Sequence, residues 1–81
     1  MEKAYLECSI QEGNRTDTYE VLIPLSNGSR LSGPIKKRHF NERGELEVKI
    51  AGISDYNATV ILPQRINHSD FITVDFRKIA N

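Results

Sequence analysis

Val21-Leu22-Ile23-Pro24 returns later in the chain as Val60-Ile61-Leu62-Pro63, and the reading of these two runs decides the fold. Each is β-branched or apolar at three successive positions and is closed by a proline. Apolar residues on both parities mark a strand with neighbours on both sides, so each run is expected at the centre of a sheet or at a subunit contact. Proline then stops ladder hydrogen bonding.

The match extends outward from these runs. A shift of forty positions lays Glu2, Leu6, Glu7, Ile10, Leu22, Asn27, Ser29 and Asn41 on Glu42, Leu46, Glu47, Ile50, Leu62, Asn67, Ser69 and Asn81. A one-residue gap brings the two proline-closed runs into line. The 81 residues are therefore read as one domain, 1–81, with an internal repeat over 1–40 and 41–81.

Period-two alternation fills most of what remains. Leu6, Cys8 and Ile10 alternate with polar residues, as do Leu46, Val48 and Ile50, and later Ile72, Val74 and Phe76. Tyr19, Val21, Ile23 and Leu25 share one face, and Ala58, Val60 and Leu62 another. Asn27-Gly28 is a strong hairpin signal, because both residues tolerate positive φ. Leu31 to Phe40 reads as an extended piece interrupted by Gly33-Pro34, which puts it at an edge or a bend. No apolar stripe has helical period, although a short helical turn fits Gln64 to Ser69. The expected fold is all-β: a small six-stranded barrel, or a compact sandwich, of two similar β-β-β halves about a pseudo-two-fold axis. Closure would remove exposed edges.

Composition narrows the function. So small a core rarely supplies more than a few kcal/mol without staples. The single Cys8 excludes an internal disulfide, and no Cys/His cluster has metal spacing, so neither metal nor cofactor is expected. A homodimer, or a homo-oligomeric structural subunit, is a natural expectation for such a chain. No secretory signal or membrane-length apolar run is read, which gives an expectation of a cytoplasmic protein with no membrane partner. The sequons at Asn14, Asn27, Asn57 and Asn67 then read as turn chemistry.

Catalysis finds little support. Cys8 shares the apolar face of its strand and behaves as a small hydrophobe. His68-Ser69-Asp70 has the residue types of a triad, but neighbours in sequence cannot converge on one reacting atom. Glu45 and Glu47 would face the same way on a strand, about 6.5–7 Å apart. Their polar surroundings lack the burial that raises a carboxyl pKa. A non-enzymatic protein is the expectation.

The net charge of zero is unevenly spread: residues 1–29 carry −3, residues 30–43 carry +4 and residues 44–81 carry −1. The basic stretch contains Arg30, Lys36, Lys37, Arg38, His39, Phe40 and Arg43. The forty-residue shift lays Arg77 and Lys78 on Lys37 and Arg38 as a second basic pair. Cations with an embedded aromatic hold phosphates while bases stack. Tyr5 and Phe71 lie on the polar parity of their strands, as exposed stacking platforms. The first expectation is a nucleic-acid-binding or regulatory module acting through this basic loop. The alternative is a small protein-binding adaptor or inhibitor, of the kind mobile elements or phages encode. It would use a strand edge or the same loop against an acidic protein surface.

Overall fold

The structure is a computed structural model that describes residues 2–80. The chain is all-β, with eight strands among the described residues: β1 (Glu2–Leu6), β2 (Ser9–Glu12), β3 (Thr18–Pro24), β4 (Arg30–Lys36), β5 (Leu46–Ser54), β6 (Asn57–Ile66), β7 (Ser69–Asp75) and β8 (Ile79–Ala80). Short 3-10 turns at Lys37–His39 and Phe76–Lys78 follow β4 and β7. The strands form a five-stranded sheet in the order β7-β6-β5-β1-β8 and a three-stranded sheet in the order β2-β3-β4. Both proline-closed runs lie in interior strands, β3 and β6, as their two-sided apolarity requires.

One core lies between the sheets. Val21, Ile23 and Ile35 from the smaller sheet meet Leu6, Leu46, Val48, Val60 and Val74 from the larger. The alternation that buries these residues turns Lys3, Tyr5, Glu47, Lys49, Ile61 and Phe71 to the opposite face of the large sheet.

The pairing registers recur between the halves. Ile10 pairs with Val21 and Val21 with Gly33, while Ile50 pairs with Val60 and Val60 with Ile72. Thr18 opposite Lys36 matches Asn57 opposite Asp75. The Lys37 amide donates to the Asp17 carbonyl at 2.8 Å, and the Phe76 amide to the Tyr56 carbonyl at 2.7 Å. Leu6 pairs with Leu46, Leu46 bridges Phe40, and Leu6 pairs with Ile79. The end of each half therefore lies beside the start of the other.

The strand count and closure differ from the six-stranded barrel. Residues 6–10 are divided at Glu7–Cys8 into β1 and β2, which belong to different sheets. The run 31–40 leaves the strand at Lys37, and Phe76 leaves it after Asp75, whose carboxylate accepts the Arg77 amide at 2.9 Å. The polar stretch after Pro63 is strand and hairpin rather than helix, since β6 runs to Ile66 and turns at Asn67-His68. No closed ladder joins the sheets among the described residues. β4 is an edge carrying Pro34, which has no N–H to extend a ladder. Side chains serve that edge instead: Gln64 accepts the Lys36 amide at 2.9 Å, and Asn67 donates to the Ser32 carbonyl at 2.7 Å. Further along the same seam, the Ser26 amide in the loop between β3 and β4 donates to the Thr73 carbonyl of β7 at 2.9 Å. β4 and β6 approach so closely that a Cβ on Gly33 would sit 2.7 Å from Ile66 Cγ2.

Candidate nucleic-acid interface

The basic residues of the sequence fall at separate places. Arg30 opens β4 opposite Pro24, and Lys36 closes it opposite Thr18. Their Cα atoms are about 20 Å apart along the strand. Lys37 is committed: its Nζ lies 2.8 Å from Glu12 Oε1 and 4.9 Å from the Tyr19 ring centroid. The bond to Glu12 holds the Lys37 ammonium above its ordinary pKa. Phe40 is half-buried and meets Tyr19 edge-to-face at 5.1 Å, so it serves packing more than stacking. Arg43 is exposed in the turn Asn41–Glu45, where Asn41 Oδ1 accepts the amides of Arg43 and Glu45.

The second basic pair sits in the other 3-10 turn. Arg77 folds back on Asp75, with Nη2 2.8 Å from Oδ2, and these bonds hold the Asp75 carboxyl down at about 2. Lys78 is exposed. The two turns correspond with a shift of 39, one less than the sequence alignment used: Lys37 with Phe76, Arg38 with Arg77 and His39 with Lys78.

His39 leads elsewhere. It lines a depression of about 320 Å³ with Glu47, Lys49, Ile61 and Pro63, on the outer face of the five-stranded sheet. Burial and then the adjacent Arg38 charge lower its pKa. The same face carries a register row across four strands: Phe71 (β7), Ile61 (β6), Lys49 (β5) and Lys3 (β1). In the next row Tyr5 stands opposite Glu47. Phe71 is 61% exposed, so its ring is open to solvent. Lys3 lies 3.5 Å from Glu47 at an exposed site, an ion pair of little consequence. The Cα of Lys3 and that of Phe71 are separated by three strand spacings, about 14 Å.

The corresponding row of the small sheet is Ser9, Leu22 and Ser32. Leu22 matches Ile61, but Ser9 stands where β5 has Lys49 and Ser32 where β7 has Phe71. In this row, cation and aromatic thus occur together on only one of the two faces. Parity on the strand was enough to place Tyr5 and Phe71 on the outer face, where Phe71 is exposed and Tyr5 half-buried. Lys3, Lys49 and Ile61 carry no such signal, because only strand order puts them in one row.

The groups weighed for catalysis are otherwise engaged. Burial pushes the Cys8 thiol up to about 11, away from the thiolate a nucleophile needs. His68 stands at a turn tip, and Asp70 is held by Arg65 Nε and Nη2, both at 3.0 Å. Glu45 precedes β5 and accepts from Asn41 Nδ2 at 2.7 Å, whereas Glu47 lies on the strand face beside Lys3. The described residues contain no cluster of His, Cys, Asp and Glu that could hold a metal. No helix among them is long and apolar enough to cross a membrane. The chain matches no family model, no curated protein and no solved structure.

Proposed function

We propose that this chain is a non-enzymatic binding module that lays single-stranded nucleic acid across the outer face of its five-stranded sheet. The row Phe71-Ile61-Lys49-Lys3, with Tyr5 beside it, carries this reading. Phe71 and Tyr5 stack on bases, while Lys3 and Lys49 hold phosphates. Arg38, in the turn leading to the Phe40 bridge with Leu46, supplies cation at the rim, and His39 beside it, with its pKa lowered, offers a neutral ring and hydrogen-bonding nitrogens. Arg30, Arg43 and Lys78 contribute long-range attraction. Lys37 and Arg77, held by 2.8 Å bonds to Glu12 and Asp75 where Lys3 has only a 3.5 Å pair with Glu47, contribute least. The open flat face suits unpaired bases, which expose the rings that aromatic side chains use. The recurring registers support the companion reading of two duplicated β-β-β halves about a pseudo-two-fold axis, with β1 of the first half completing the binding row on the sheet of the second.

The experiment is an anisotropy titration with labelled single-stranded and duplex oligonucleotides at low and physiological salt. Phe71→Ala is expected to weaken single-strand binding by about 1–3 kcal/mol without changing the fold. Lys49→Glu is expected to lower the salt slope by about 0.7 or more. Lys37→Glu should matter less than either. Absence of binding at low salt, or equal binding by Phe71→Ala, refutes the sheet-face reading.

A second reading has its own observation. Ile53, Tyr56 and Phe76 are all exposed at the end of the β5–β6 hairpin, where the Phe76 amide meets the Tyr56 carbonyl. Such a cluster supports a protein-binding adaptor or inhibitor. Tyr56→Ser/Phe76→Ser would abolish capture of a protein partner and leave oligonucleotide binding intact.

A further inference from the structure

β2 and β5 hold matching places in the two ladders, but their outer edges differ. β5 has β6 on one side and β1 on the other, with Glu2 opposite Ile50. β2 has β3 on one side and, among the described residues, no strand on the other. The Gly13 amide donates to the Thr18 carbonyl, so the odd-numbered residues of β2 turn their backbone groups toward β3. The even ones, Ile10 and Glu12, turn theirs away. The turn Asn41–Glu45 shields only the start of this edge. Its Gly44 carbonyl lies 4.0 Å from Cys8 Sγ, and a Cβ on Gly44 would come 3.1 Å from Ile10 Cδ1.

Natural edges are blunted by lysine, proline, bulges or a covering segment. Ser9-Ile10-Gln11-Glu12 carries none of the first three, and beyond Ile10, which lies beside Gly44, Gln11 and Glu12 are exposed with no strand against them among the described residues. Its one charge is neutralised, since Lys37 Nζ is 2.8 Å from Glu12 Oε1.

We propose that this edge pairs with β2 of a second copy of the chain, antiparallel about a two-fold axis. Ile10 and Glu12 are the outward-facing residues, and backbone parity lets each pair only with an outward-facing residue of the partner. Pairing Ile10 with Ile10 would draw in the start of the strand, which the Asn41–Glu45 turn shields, and pairing Glu12 with Glu12 would set two carboxylates opposite each other. Ile10 then lies opposite the partner's Glu12 and Gln11 opposite the partner's Gln11. In this register no like charges face each other across the axis, so nothing in the strand opposes its own copy, and a second copy is the occupant we assign. Gln11 is exposed, and its amide both donates and accepts, so two of them bond across the axis. The ion-paired Glu12 side chains bring no bare carboxylates together. The product is a continuous six-stranded sheet running β4-β3-β2 into the partner's β2-β3-β4. It lies away from the face proposed for nucleic acid and stands or falls separately.

The test is sedimentation of the full chain over micromolar to millimolar concentrations, for wild type, Gln11→Glu, Gln11→Lys and their equimolar mixture. The wild type is expected to double in mass with concentration. Each variant alone places like charges directly opposite on the axis and should dimerise at least about tenfold more weakly. The mixture places opposite charges there and should recover the dimer. Unchanged melting of the dilute variants confirms that they fold. A wild type that stays monomeric overturns the proposal. So does a dimer indifferent to both variants, or one that the mixture fails to restore.

Discussion

Asn67 and His68 make the whole turn between Ile66 and Ser69, with φ of 47° and 68°. Positive φ at both central residues defines the tight hairpin turn that favours Asn followed by Gly. Histidine tolerates this region better than most residues but still bears a steric cost. His68→Gly is therefore expected to raise stability by about 0.5–1 kcal/mol in urea unfolding. The absence of glycine is why this turn reads as an undefined polar stretch in sequence. Asn27-Gly28 is legible as a turn, and it lies in a three-residue loop with Gly28 at φ 90°. Cys8 gives a pH dependence of known sign. Its folded pKa is about 11 against an ordinary 9.0, so folding favours the neutral thiol. The resulting stability is whole below pH 9 and is lost as pH rises toward 11. Comparison of urea midpoints at pH 7 and pH 10.5 should show a smaller alkaline loss in Cys8→Ala than in wild type.

At the scale of elements, the approach of β4 to β6 depends on Gly33. Alanine there would place its Cβ 2.7 Å from Ile66 Cγ2, on the backbone of a packed strand pair. Gly33→Ala should cost about 1–3 kcal/mol. The loss should be smaller when measured in an Ile66→Ala background, where the clashing methyl is gone, and a double-mutant cycle reads the difference. Sequence marks Gly33-Pro34 as an interruption, and β4 is indeed an edge strand. What the glycine accommodates is visible only with Ile66 in place. The 3-10 turn after β7 shows the same division. Alternation predicts that Phe76 continues the buried face, but the Asp75 carboxylate captures the Arg77 amide and turns the chain, leaving Phe76 41% exposed. A short-range polar bond overrides the hydrophobic period there.

The whole molecule is organised about the pair Leu6 and Leu46, both fully buried and opposite each other in the β1–β5 ladder. They occupy corresponding positions in the two halves, and each pairs with the segment that ends the other half: Leu6 with Ile79 of β8, and Leu46 with Phe40 through an isolated bridge. Leu6→Ala and Leu46→Ala are thus expected to cost similar amounts, about 2–5 kcal/mol each. Their double mutant should depart from additivity because the two side chains share one region of core. Markedly unequal single losses would count against the pseudo-two-fold reading.

Sequence by itself determined the all-β class and the parity of Tyr5 and Phe71, and it narrowed β3 and β6 to a sheet centre or a subunit contact and β4 to an edge or a bend. These follow from local rules: two-sided apolarity, proline without a donor, and side chains alternating along a strand. Tertiary structure alone decided that 6–10 divides between two sheets, that Lys37 and Arg77 are tied to Glu12 and Asp75, and that Lys3 and Lys49 join Ile61 and Phe71 in one row. Each of these depends on which strand lies beside which. Strand neighbours are fixed by core packing between residues far apart in the chain, and no local pattern encodes that choice.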